Sequence, residues 1–217
     1  MGVMKIKKLP VGELKANCYL VWDEGSREGI VIDPGDEGEF ISEEIMREQI
    51  KIKAIFLTHG HFDHVQAVLE VKLNYQALIL MNKNDERIYV ESGRSREYWT
   101  GQRGLPMPKV DQWVKNGDLI KFGEEVFKVI EVPGHTPGSV CLYSEKRGVL
   151  FSGDVLFKNG IGRVDFSYSD PEAMRTSLIG LSKLPKETRV MPGHGEETSI
   201  GDEISNGVSV FREKESR

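Results

Sequence analysis

The stretch Ile52-Lys53-Ala54-Ile55-Phe56-Leu57-Thr58-His59-Gly60-His61-Phe62-Asp63-His64 decides the reading of this chain. Its first half is a short apolar run rich in β-branched and aromatic side chains, the pattern of a strand over 52–57. Its second half places three imidazoles and one carboxylate in the turn that ends that strand. His59 and His61 project the same way by the two-residue period of extended backbone. Asp63 and His64 open a helix expected over 63–73, with Val65, Val68, Leu69 and Leu73 on one face, and address a second point. One segment therefore offers two pairs of donors to two neighbouring sites.

The same arrangement recurs downstream. His135 lies in Pro133-Gly134-His135-Thr136-Pro137-Gly138 after an apolar alternation at 125–132. Asp154 ends Phe151-Ser152-Gly153-Asp154 after 147–152, and His194 lies in Met191-Pro192-Gly193-His194-Gly195 after 187–191. All five histidines of the chain thus sit in turns that follow strands. Groups at strand ends converge on one sheet edge. Neutral imidazole suits zinc, iron or manganese, and a carboxylate can bridge two such ions. Two ions about 3.5–4 Å apart bring the pKa of a shared water near 7, so hydrolysis needs no Ser or Cys nucleophile. A purely structural zinc site would be closed, four-coordinate and cysteine-rich, unlike this donor set.

Strands are expected at 3–9, 17–23, 28–33, 77–81, 118–122 and 138–144, besides those above. Helices are expected at 38–49, near 83–91, at 170–182 and at 200–206. Asp170-Pro171-Glu172 supplies a cap, a first-turn proline and an acidic residue at the positive end of the third of these. Residues 92–109 read as a long loop, punctuated by Gly93, Gly101, Gly104, Pro106 and Pro108 and carrying Tyr98, Trp99 and Arg103. The tail, 212–217, is charged and expected to fray. This order implies two mixed sheets with helices outside, in one domain spanning 1–217 without repeat or linker. Cys18 and Cys141 fall inside apolar alternations and read as buried strand residues, not a disulfide.

Composition narrows the partners. A net charge of −5 over 217 residues, with no basic run, disfavours nucleic acid. No apolar run of membrane-spanning length and no signal-peptide pattern appear, so a cytoplasmic protein acting on a small molecule is expected. Oligomeric state is not legible.

Thr58 to His64 matches the H-x-H-x-D-H signature of the metallo-β-lactamase superfamily, and His135, Asp154 and His194 follow in that family's order. The resemblance covers nearly the whole chain. It implies an α/β fold, the four-layer αβ/βα sandwich. It also implies a binuclear site in which His59, His61 and His135 bind one metal, Asp63, His64 and His194 bind the second, and Asp154 bridges. Two divalent ions are expected, zinc first, with iron or manganese also compatible.

Within the superfamily, Pro133–Ser139, Ser152-Gly153-Asp154-Val155-Leu156-Phe157 and Pro192-Gly193-His194-Gly195 resemble glyoxalase II (hydroxyacylglutathione hydrolase) and its short bacterial relatives. Asn17-Cys18-Tyr19-Leu20-Val21 and Asp33-Pro34-Gly35 are similar to its N-terminal half, the latter turn supporting the metal site. The implied reaction is hydrolysis of S-lactoylglutathione or a related acyl thioester, with Asp63 and Asp154 as the catalytic carboxylates. The sequence departs from the longer glyoxalase II enzymes in stopping soon after His194, without their C-terminal helical glutathione-binding domain. It also reads Gly162-Arg163-Val164-Asp165-Phe166 where those enzymes carry a Lys and a Tyr for glutathione. Arg163 is the expected substrate-binding residue, and Asp165 would repel an anion unless paired. This pattern also resembles persulfide dioxygenases, whose single iron would be held here by His59 or His61, His135 and Asp154. Other hydrolases of the superfamily, acting on esters, lactones or phosphodiesters, complete the alternatives.

Overall fold

The computed structural model describes residues 2–205; the expected tail at 212–217 and the last residue of the 200–206 helix lie outside them. The first sheet holds β1 (Met4–Val11), β2 (Ala16–Asp23), β3 (Glu28–Ile32), β4 (Lys51–Phe56), β5 (Leu78–Asn82) and β6 (Gln112–Val114), in that spatial order. β1 to β3 pair antiparallel, and β3 to β6 parallel. The parallel half needs crossovers, supplied by α1 (Gly38–Arg47), α2 (Phe62–Val65), α3 (Val68–Tyr75) and α4 (Glu86–Thr100). The second sheet is built from β7 (Leu119–Phe122), β8 (Glu125–Glu131), β9 (Val140–Ser144) and β10 (Val149–Gly153). A small hairpin, β11 (Leu156–Phe157) with β12 (Gly160–Ile161), follows. α5 (Pro171–Leu181), β13 (Arg189–Pro192), β14 (Thr198–Ser199) and α6 (Ile200–Ser205) complete the described chain. The second sheet runs β14-β13-β10-β9-β8-β7 in space.

The alternation of side chains explains the layers. In β2, Tyr19 and Val21 enter the core between the sheets, while Cys18, Leu20 and Trp22 enter a core beneath α1, α3 and α4 with Ile41, Ile45, Val68, Val71 and Tyr89. In β9 and β10, Val140, Leu142, Val149 and Phe151 face the central core, whereas Cys141, Tyr143 and Leu150 pack on Met174, Leu178 and Leu181 of α5. Strands covered on both faces read as continuous apolar runs. The result is helix, sheet, sheet, helix: the four-layer αβ/βα sandwich. Cys18 and Cys141 are free and fully buried in it, as expected.

One expectation fails. Residues 92–100 are not loop but the second half of α4, which runs to Thr100 and stops where Gly101 takes left-handed backbone, φ 71°. Only 101–111 is irregular. Gly93 is not a breaker there. The connection crosses the helix at that point, and a Cβ on Gly93 would meet the Leu105 carbonyl at 3.2 Å. The expected 63–73 helix divides into α2 and α3, and β6 was hidden by its length of three residues.

Candidate metal centre

β3 and β4 run parallel, as do β10 and β13, and β8 shares the latter direction because β9 is antiparallel to both its neighbours. The segments bearing Asp33, Thr58 to His64, His135, Asp154 and His194 therefore all follow the carboxyl ends of their strands. The two sheets bring these ends together at one edge of the sandwich.

There the expected donors form two clusters. In the first, His61 Nδ1 lies 3.1 Å from His59 Nε2 and 3.0 Å from His135 Nε2. In the second, His194 Nε2 lies 3.3 Å from His64 Nε2 and 3.2 Å from Asp63 Oδ2. Asp154 stands between them, with Oδ1 3.4 Å from His64 Nε2 and Oδ2 3.6 and 3.7 Å from Nε2 of His194 and His135. All seven expected donors are brought together.

The remaining ring nitrogens fix the tautomers of four of the five rings. Thr58 Oγ1 donates to Asp33 Oδ2 at 2.6 Å and so accepts from His59 Nδ1 at 3.0 Å. His64 Nδ1 donates to Asp33 Oδ2 at 3.1 Å, His135 Nδ1 to the Arg163 carbonyl at 2.8 Å, and His194 Nδ1 to the Leu14 carbonyl at 3.2 Å. His61 Nε2 meets the Tyr168 hydroxyl at 2.7 Å. A neutral imidazole has one hydrogen, so His59, His64, His135 and His194 each turn a bare lone pair inward when neutral. Four lone pairs and two carboxylates then face one another. Asp154 Oδ1 is buried without a hydrogen-bond partner. Such an array is repulsive unless a cation lies within it, and the donor set fits divalent metal.

Charge divides along the same line. Burial and the neighbouring His64 hold His59 well below its ordinary pKa; burial and His135 bring His61 down to about 3. Burial opposes protonation of His64 and His194 as well, yet Asp154 and Asp63 beside them raise both. The carboxylate-rich half thus calls for positive charge, while His59 and His61 stay neutral, as ligands must be.

Close packing holds this geometry. A Cβ on Gly193 would strike Asp154 Oδ1 and come within 2.8 Å of the His64 ring. The Gly193 carbonyl accepts from Asn17 N at 2.7 Å, and Asn17 Nδ2 donates to the Pro192 and Gly195 carbonyls, which ties the His194 turn to the start of β2. Asp33, at φ 50°, accepts from Thr58 N at 2.8 Å as well as from Thr58 Oγ1 and His64. The sequence reading missed Asp85. It is fully buried and accepts from Gly60 N, Gly138 N and Thr136 Oγ1, joining the turn of His59 and His61 to that of His135. No spacing marks it, because its partners lie 25 to 53 residues away.

Above the two donor clusters opens a cavity of about 520 Å³, walled by Leu14, Phe62, Trp99, Phe157, Ile161, Arg163, Phe166 and Tyr168. Trp99 reaches it from the end of α4. Arg163 is paired with Asp165 through two 2.9 Å bonds and lies 4.6 Å over the Phe166 ring, so Asp165 is neutralised. Phe62 lines the wall. Among the described residues no helix is long and apolar enough to cross a membrane.

The sequence pattern of the metallo-beta-lactamase superfamily matches residues 11–194. The chain is 33% identical over 202 residues to hydroxyacylglutathione hydrolase GloC of Haemophilus influenzae, covering 92% of this chain and 95% of that one. Among solved structures it is similar to the BLEG-1 B3 metallo-beta-lactamase, with TM-score 0.89, 33% identity, and 96% and 100% of the two chains covered. It is also similar to TTHA1623 in a di-iron-bound form, with TM-score 0.85, 36% identity, and 92% and 98% covered.

Proposed function

The chain belongs to the metallo-beta-lactamase superfamily, and from that footing we propose that it is a metal-dependent thioester hydrolase acting on S-lactoylglutathione or a related acyl thioester. The observation that carries this reading is the pair of donor clusters that meet at Asp154 on the floor of the cavity. The hydrolase named among its relatives, matched over almost its whole length, supports the thioester.

His59, His61 and His135 would hold one divalent ion, and Asp63, His64 and His194 the second, with Asp154 shared; zinc is the first expectation, and iron or manganese suits the same donors. Ions so held supply a water of near-neutral pKa and polarise a carbonyl oxygen. The chain's own groups do the rest. Asp63 and Asp154 present carboxylate oxygens that accept the water's hydrogen and aim its lone pair. Thr58, Asp33, Arg163 and Leu14 keep the imidazole hydrogens turned outward. The aromatic wall limits competing water, and the Arg163 guanidinium is placed to receive a substrate carboxylate. A departing thiolate needs no strong acid, since thiols ionise near pH 8.5.

Persulfide dioxygenation on a single iron would use His59 or His61, His135 and Asp154, but would leave the second cluster without a task. The test is a metal count on purified protein, coupled to S-lactoylglutathione turnover with a β-lactam as control. About two metals per chain with thioester cleavage is the expected result. One iron, no cleavage, and oxygen uptake with glutathione persulfide would replace the reading with the dioxygenase.

A further inference from the structure

The outer nitrogens of the five histidines are not served alike. Those of His135 and His194 donate to backbone carbonyls, that of His64 to the Asp33 carboxylate. That of His59 meets Thr58, whose own hydrogen is taken by Asp33. His61 alone turns its outer nitrogen to a hydroxyl that faces the cavity, Tyr168, at 2.7 Å.

Hydrogen bookkeeping then follows. With a metal ion held by His61 Nδ1, as the proposed function has it, the ring hydrogen is on Nε2 and the Tyr168 oxygen accepts it. The phenolic hydrogen is left over, and no acceptor among the described residues takes it. The group is held firmly. Its ring stacks on Phe166 at 5.5 Å and 19°, and Phe166 sets its edge against His61 and His135 at 5.2 and 5.8 Å. The next residues are pinned to the His135 turn, Ser169 Oγ donating to the His135 carbonyl at 2.7 Å and Asp170 N to the Gly134 carbonyl at 2.8 Å. A spare O–H on a rigid wall beside the first cluster is what a developing oxyanion requires.

We infer that Tyr168 is a catalytic residue whose phenolic hydrogen donates to the carbonyl oxygen of the substrate, the bond strengthening as the carbonyl electron pair moves onto that oxygen. The proton stays on Tyr168, and no covalent bond to the phenol forms or breaks. The inference rests on the proposed hydrolysis of a carbonyl substrate.

Tyr168→Phe keeps the stacked ring and removes only the hydroxyl. With zinc-loaded protein, kcat for S-lactoylglutathione should fall about 100-fold with KM within about threefold. Zinc affinity against a competing chelator should not change. Phenylphosphonate, a tetrahedral anion, should bind the variant about tenfold more weakly by calorimetry, a readout that needs no turnover. Unchanged phenylphosphonate affinity overturns the inference. So does a loss of zinc affinity as large as the loss of kcat, which would make Tyr168 only a support for His61. A wild-type protein that cleaves no thioester would sink the proposed function, and the phenylphosphonate comparison would still decide Tyr168.

Discussion

Thr136 Oγ1 donates to Asp85 Oδ2 at 2.7 Å across a separation of 51 residues. This bond, with those from Gly60 N at 2.8 Å and Gly138 N at 2.6 Å, fastens the His59–His61 turn to the turn that carries His135. The first donor cluster therefore depends on a carboxylate that is not one of its members. Asp85→Ala leaves two buried backbone N–H groups without an acceptor, while Thr136 retains Ser139 Oγ at 2.7 Å. At about 1–3 kcal/mol for each orphaned group, the variant should lose about 3 kcal/mol of unfolding free energy, read from urea denaturation. A loss below about 1 kcal/mol would show that water replaces the carboxylate.

Asp33 serves the other half of the site. Asp33→Asn puts an amide where one carboxylate now accepts from Thr58 and His64. Orientation of His64 and, through Thr58, of His59 should slacken, weakening zinc binding about 10–100-fold in chelator competition. Secondary structure by circular dichroism should be unchanged.

Removing metal exposes the inward lone pairs and the two carboxylates to one another. With zinc at about 100 times its Kd, the bound form gains about 2.7 kcal/mol, or about 5–10 °C in Tm for a chain of this size. Addition of EDTA should remove that increment, and zinc should restore it. An identical Tm in both states would argue that no ion binds the folded form.

Arg163, proposed to receive a substrate carboxylate, should bear on affinity more than on the chemical step. Its existing pair with Asp165 is exposed and exchangeable, so the guanidinium can turn to an anionic thioester at small cost. Arg163→Ala should raise KM for S-lactoylglutathione about tenfold, with kcat within about twofold, by steady-state kinetics. A fall in kcat alone would assign it elsewhere.

Acid stability reports a different carboxylate. Asp23 accepts from Ser26 N at 3.0 Å, Glu124 N at 2.9 Å and Gly25 N at 2.7 Å, so it clips the end of β2 to the β7–β8 turn of the other sheet. The bonds from Ser26 and Glu124, against a smaller effect of desolvation, hold its pKa below the ordinary value. A depressed carboxylate stabilises fully above its unfolded value of about 3.9 and loses that contribution as pH falls through the folded one. Asp23→Asn should therefore lower Tm by a few degrees (about 2–4 °C per kcal/mol) at pH 7. The gap to the wild type should close below about pH 4. A gap that is constant with pH would detach the effect from ionisation.

The convergence of the seven candidate donors was legible because their chemistry is written in short spacings, His59 to His64 above all, and in glycine turns after apolar runs. β2, β9 and β10 were legible from their apolar runs. The sandwich itself entered through the resemblance that the Thr58–His64 signature carries. What escaped was set by contacts distant in sequence. Asp85 looks like any helix-initiating acid until Gly138 is beside it. Gly93 looks like a breaker until the chain returns over α4 at Leu105. Trp99, placed in a presumed loop, in fact ends that helix and reaches the cavity.

The bond from Asn17 N to the Gly193 carbonyl spans most of the chain, and it bears on the order in which the protein is made. β2 cannot be completed at Asn17 until the segment that carries Gly193 has emerged from the ribosome. A nascent chain that includes His135 but not His194 already carries the three residues proposed for one ion and lacks a member of the set proposed for the other. Counting metal on such truncated chains would read out, ion by ion, how far assembly of the sandwich has advanced.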